Sequence, residues 1–148
     1  RFNKGEGVSD LREWAFQTIA AHSFSTKHIT DDLVDAMVEL RELPKMLAAR
    51  DKFVTLRQAF AHDLEIRQTE THRWIQNGSL ITPTLIVWGF DDPSAPWHDV
   101  GLNTIDLILP NSRDAQARVI NHAGHYCFRE QPEEFVSAVT GFIKERYA

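Results

Sequence analysis

Residues 83–90, Pro-Thr-Leu-Ile-Val-Trp-Gly-Phe, constrain the fold of this chain more than any other stretch. After Pro83 the run is short, apolar and rich in β-formers, with no polar alternation. A strand with one face in water alternates, whereas a strand covered on both faces does not, and such strands belong to parallel sheets. Ala117–Gly124, "ARVINHAG", reads as a second strand. Between them residues 97–109 read as a helix closed by Leu-Pro-Asn-Ser. Beyond them Pro132, Glu133 and Glu134 open another helix, by proline geometry and by acidic charge at a helix N-terminus. Phe135, Val139 and Phe142 give that helix a core face. Residues 81–148 therefore read β-α-β-α, an α/β arrangement. Two buried-type strands and two helices cannot cover one another, because open parallel sheets need more strands and helices on both faces. The expectation is a part of a larger fold, completed by an N-terminal segment of the same protein or by a second chain.

Residues 1–80 read as helices. Ser9 is placed to cap residues 10–22, with Leu11, Trp14, Ala15, Thr18 and Ile19 near one face. Thr30 is placed to cap residues 31–43, where Asp31 and Asp32 occupy the favourable first turn and Leu33, Met37 and Leu40 form a stripe. Pro44 ends or kinks that helix. Phe53, Leu56, Phe60 and Leu64 sit at helical spacing over 51–64, residues 65–76 read as helix then turn, and Asn77-Gly78-Ser79 breaks the pattern. Trp14, Trp74, Trp88 and Trp97, with Phe16, Phe24, Phe53 and Phe60, read as core fillers. Some of those in the helical part also suit the lining of a pocket for an aromatic or apolar substrate.

Composition narrows the partners. The formal net charge is −5 and no block of Lys or Arg interrupts it, which argues against a nucleic-acid surface. No apolar run approaches the roughly 20 residues that cross a bilayer, so no membrane span is expected. The first ten residues lack the apolar core of a signal peptide, and without an initiator Met the natural start is expected upstream. Cys127 is the single cysteine, which excludes an internal disulfide and fits a reducing, cytoplasmic setting. Asn77-Gly78-Ser79 matches a glycosylation acceptor only by chance in a chain with no export signal. The seven histidines, His22, His28, His62, His72, His98, His122 and His125, form no His-Glu-x-x-His and pair with no cysteine cluster, so no metal is expected. Gly5-Glu6-Gly7 is too short for a phosphate loop, and no cofactor is expected. Cys127 reads as a small hydrophobe rather than a nucleophile.

At Thr84–Pro96 and Asn121–Phe135 the chain resembles the C-terminal part of an α/β-hydrolase. That family shows an apolar strand ending in Trp-Gly-x-x-Asp, matched here by Trp88-Gly89-Phe90-Asp91-Asp92. It then shows a Gly-His followed by a Glu-x-Pro-like helix start, matched by Gly124-His125-Tyr126 and the residues up to Pro132. The resemblance covers residues 81–148 and extends more weakly over residues 1–80, which it makes the helical cap. Within the family, the cap and the Gly-His-Tyr context are most similar to the meta-cleavage product hydrolases, which hydrolyse a carbon–carbon bond in ring-fission products of aromatic degradation.

The resemblance implies a catalytic triad of which Asp92 is the acid and His125 the base, with Asp91 as the rival of Asp92 and His122 left to a local hydrogen bond. It implies a serine nucleophile in a Gly-x-Ser-x-Gly elbow. No such motif occurs here, so the elbow is expected upstream and these 148 residues are expected to be inactive alone. Two further departures concern the substrate. Tyr126 stands where the carbon–carbon hydrolases often carry Trp. Their cap Arg falls at about Met37, with Arg41 one turn further on. Arg41, Tyr126 and Trp88 are therefore the expected substrate contacts. The favoured substrate is a vinylogous diketone acid. Alternatives are a carboxylesterase, an Asp-nucleophile haloalkane or epoxide hydrolase and, from another class, a non-catalytic small-molecule receptor on the same fold. A homo-oligomer stays open.

Overall fold

The computed structural model describes residues 10–147. Ser9 and the Gly5-Glu6-Gly7 segment lie outside the described residues. The elements run α1 (Leu11–Ala20), α2 (Asp31–Glu42), α3 (Pro44–Gln76), β1 (Thr84–Gly89), α4 (Leu102–Ile108), β2 (Ala115–Ile120), α5 (Cys127–Glu130) and α6 (Pro132–Tyr147). A π-helical turn, Trp97–Gly101, leads into α4, and a 3₁₀ turn, Leu109–Asn111, closes it. The chain divides into two compact units. One holds the chain through Ile19 together with Ile29–Thr71; the other holds Ala20–His28 and the chain from His72 onward. No helix among the described residues is long and apolar enough to cross a membrane.

In the helical unit, Asp10 Oδ1 accepts the Arg12 backbone N–H at 2.8 Å and begins α1, which buries Ala15 and Ile19. Thr30 caps α2 as its sequence predicts: its backbone is extended and its hydroxyl oxygen accepts from Leu33 N at 3.3 Å. Arg12 forms ion pairs with Asp31 and Asp35. The expected α2 stripe is displaced by one residue. Val34 is the buried side chain, while Leu33 and Met37 are half-buried and Leu40 is exposed.

Pro44 does not merely end α2. It opens α3 at the position where its missing N–H costs nothing. Residues 51–64 and 65–76, expected as separate stretches, form one helix of 33 residues. Phe53, Leu56, Phe60 and Leu64 do share a face, and the Phe53 and Phe60 rings meet at 5.5 Å, but all four are exposed, so the expected core face is unburied. Phe24 and Trp74 are exposed as well.

In the second unit, β1 and β2 pair in parallel, from Thr84 opposite Ala115 to Gly89 opposite Ile120. Among the described residues the sheet has these two strands. The apolar run of β1 is half-buried along Thr84–Trp88 and buried only at Gly89. The core gathers at the carboxyl end of β2, where Ile120, Ala123 and Cys127 are buried and Val87 and Phe135 pack against them. The short helix α5, which the sequence reading did not predict, carries Cys127 into this cluster. Burial pushes the Cys127 thiol up, away from the thiolate a nucleophile needs.

Candidate active site

Because β1 and β2 are parallel, the loops that follow them leave the same edge of the sheet, the carboxyl edge where α/β folds place their sites. The ladder continues past both strands. Phe90 N donates to Ile120 O at 2.9 Å and Asp91 N donates to Ala123 O at 3.0 Å, which ties the loop carrying Asp92 to the loop carrying His125. This approach is close. A Cβ on Gly89 would stand 2.1 Å from Gly124 O, and one on Gly124 would stand 2.7 Å from both His22 O and Phe24 N. The φ of Gly124 is not positive, and what requires glycine there is lack of space.

Asp92 is buried at 7% exposure. Its Oδ1 accepts from Ser94 Oγ at 2.6 Å, Ser94 N at 2.8 Å and Ala95 N at 3.0 Å. Its Oδ2 meets His125 Nδ1 at 2.8 Å. Burial pushes the Asp92 carboxyl up, but the hydrogen bonds from Ser94, His125 and Ala95 outweigh it and hold the pKa below the ordinary value. The group is thus a carboxylate, which only accepts, so His125 Nδ1 is the donor and the neutral ring has its lone pair on Nε2. The His125 side chain is about half exposed, at 54%.

The neighbouring pair does other work. Asp91 Oδ2 accepts the His122 backbone N–H at 3.0 Å, and His122 adopts φ 53°, a left-handed conformation that turns the chain out of β2. Gln131 Nε2 donates to His122 O at 3.0 Å, and the His122 ring lies against Phe24. Of the two carboxylates and two histidines, the structure brings Asp92 and His125 together and leaves Asp91 and His122 in the turn.

Several supporting residues escaped the sequence reading. Glu130 accepts Gly124 N at 2.7 Å on one oxygen and Ser25 N at 2.8 Å on the other, while His125 N donates to His22 O at 2.8 Å. Residues 22–25 thereby brace the histidine loop. Ser23 Oγ pairs with His28 Nε2 at 2.9 Å, and burial lowers the His28 pKa. A signal for Glu130 was present, since it is the Glu of Glu130-Gln131-Pro132; no sequence signal marked residues 22–28.

Of the expected substrate contacts, Tyr126 and Trp88 belong to the second unit. Tyr126, half-buried, precedes α5 with its ring 5.7 Å from that of His125 and 5.6 Å from that of His28. Burial and, to a lesser degree, the Asp92 charge raise the Tyr126 pKa. Trp88 Nε1 donates to Ala95 O at 3.1 Å and braces the loop of Asp92. Arg41 belongs to the helical unit, where its guanidinium lies 3.8 Å from the centre of the Trp14 ring. No group of metal-ligating side chains occurs among the described residues.

The fold that carries this carboxylate and histidine is one that known proteins share. A solved serine hydrolase involved in carbazole degradation (the CarC enzyme) superposes with a TM-score of 0.65 at 25% identity, over 97% of this chain and 52% of its own. The chain has the α/β-hydrolase fold. Among curated relatives, the 2-hydroxy-6-oxononadienedioate/2-hydroxy-6-oxononatrienedioate hydrolase of Cupriavidus pinatubonensis (strain JMP 134 / LMG 1197) is 33% identical over 121 residues, which are 81% of this chain and 37% of the relative. The enzyme of the same name from Paraburkholderia xenovorans (strain LB400) is 29% identical over equal shares. The 2-hydroxy-6-oxo-6-(2'-aminophenyl)hexa-2,4-dienoic acid hydrolase of Metapseudomonas resinovorans is 30% identical over 65% of this chain and 36% of its own. The chain therefore spans well under half the length of these relatives. No family model matches it. The resemblance drawn from the Trp-Gly-x-x-Asp and Gly-His motifs holds for the fold, and the curated relatives carry the names of ring-fission product hydrolases.

Proposed function

We propose that the protein containing this chain is a serine-type hydrolase that cleaves a carbon–carbon bond in a vinylogous diketone acid derived from aromatic ring fission. The observation that carries the reading is the buried Asp92 carboxylate 2.8 Å from His125 Nδ1, with Nε2 left free at the carboxyl edge of a parallel sheet. The relatives' names give the substrate class. In this reading His125 Nε2 takes a proton from the nucleophile or from water and returns it to the leaving carbon. The Asp92 carboxylate holds the ring and stabilises the imidazolium formed in between.

The serine nucleophile comes from a segment outside these 148 residues, upstream in the same protein or in a second chain. Residues 1–80 act as the cap and 81–148 as part of the catalytic core, in the cytoplasm. Arg41 meets the acidic end of the substrate, with Tyr126 and Trp88 at its apolar part.

The test uses the full-length protein with a 2-hydroxy-6-oxo-dienoic acid and, in parallel, a neutral ester of similar size. Turnover of the acid well above that of the ester is expected. Preference for the ester makes the protein a carboxylesterase, and tight binding of the acid without turnover makes it a receptor. Arg41→Ala is expected to raise KM for the acid far more than for the ester; an unchanged ratio removes Arg41 from the site.

A further inference from the structure

We propose that Ser94 is a positioning residue for His125: its hydroxyl, acting with Asp92, commits the imidazole to carrying its proton on Nδ1 and so keeps Nε2 as the base. The proposal rests on the reading of Asp92 and His125 as triad members. Ser94 Oγ stands 2.6 Å from Asp92 Oδ1 and 3.2 Å from His125 Nδ1. A hydroxyl has one proton, and a carboxylate oxygen at 2.6 Å claims it. What Ser94 turns toward the ring is therefore a lone pair. Nδ1 faces two acceptors, Asp92 Oδ2 at 2.8 Å and Ser94 Oγ, and an N–H satisfies both. The alternative tautomer, protonated on Nε2, would set the Nδ1 lone pair against both oxygens.

The hydroxyl is not needed to shape the loop. The backbone N–H groups of Ser94 and Ala95 already close the turn on Asp92 Oδ1 at 2.8 and 3.0 Å. Its proton instead occupies Oδ1 further and leaves Oδ2 to the ring. The motifs that carry the family resemblance assign nothing to this position.

The test compares the full-length protein with its Ser94→Ala and Ser94→Thr variants, using ¹⁵N shifts of the labelled His125 ring together with kinetics on the ring-fission acid. His22 and Tyr126, the titratable rings nearest His125 at 6.1 and 5.7 Å, are unchanged in both variants. In the unaltered protein Nδ1 should carry the protonated-type shift and Nε2 the unprotonated one. Ser94→Ala should raise the Nε2-protonated share and lower kcat about tenfold at nearly constant KM, the scale of one hydrogen bond to a charged group. Ser94→Thr, which keeps a hydroxyl, should restore both. Ring shifts identical in Ser94→Ala and the unaltered protein overturn the proposal, whatever the activity does. Absence of turnover in the unaltered protein defeats the hydrolase reading instead, and the ring shifts still decide the role of Ser94.

Discussion

Helix α3 and the loop between β2 and α5 solve opposite problems. The helix is 33 residues long and satisfies its backbone by itself, yet Ile75 is its one buried side chain among the described residues. The loop spans residues 121–126, and its backbone is held from outside by Asp91, Glu130, Gln131 and the His22 carbonyl. A helix forms from local hydrogen bonds whether or not its apolar face is covered, whereas an irregular loop keeps one shape only if distant groups take up its donors and acceptors. A position in the loop is therefore far more sensitive to change than one on α3, although the helix carries the larger apolar side chains.

The largest contrast expected is functional. In the full-length protein His125→Ala should lower kcat by roughly four orders of magnitude, as loss of a triad member does. His122→Ala should keep most activity, because what His122 contributes is its backbone N–H and carbonyl. Equal losses would erase the distinction between the two histidines.

The next effect is on folding. Gly89→Ala would press a methyl group to 2.1 Å from Gly124 O, and backbone on both sides leaves little to yield. A destabilisation of about 3 kcal/mol or more, at the upper end for overpacking, is expected in denaturant unfolding. A variant as stable as the parent would show that the two loops are not held in this close register.

A smaller effect depends on pH. The Asp92 carboxyl titrates below its unfolded value of about 3.9, so its contribution to stability is complete above that value and is lost as pH falls through the lower native one. Asp92→Asn should flatten the acid side of the stability profile by about one proton. A slope unchanged by that substitution would mean that the Ser94, Ala95 and His125 bonds do not favour the charged form.

The smallest effect belongs to the helix. Leu64→Gln, on an exposed face of α3, should change stability by no more than about 0.5 kcal/mol. A loss several times larger in the full-length protein would show that this face is covered there, and would end the contrast from which these expectations start.

Much of the architecture was legible along the chain. Thr30 at the head of α2, the switch from helical spacing to an unalternating apolar run at Pro83, and Pro132 before two glutamates are local signals, and the structure obeys them because caps, strands and helix starts are decided by near neighbours. The same locality explains the errors. Apolar spacing on 51–64 says that a helix has an apolar face, not that another element covers it, and the face is exposed. The α2 stripe missed Val34 because burial depends on where the helix axis lies, which a period alone leaves open by one residue.

At the site the division is similar. The sequence by itself determined that an Asp and a His follow parallel strands at one sheet edge, and, through Trp-Gly-x-x-Asp and Gly-His, which of each pair to choose. Tertiary structure alone decided that Asp92 is buried and ionised, that Ser94 closes on its other oxygen, and that Glu130 and residues 22–25 brace the loop of His125. Ser94 lies two positions from Asp92, but His125 lies 33 positions from Asp92 and Ser25 lies 105 from Glu130. Their geometry comes from two strands lying in register with glycine at the crossing, a condition that neither loop carries within its own residues.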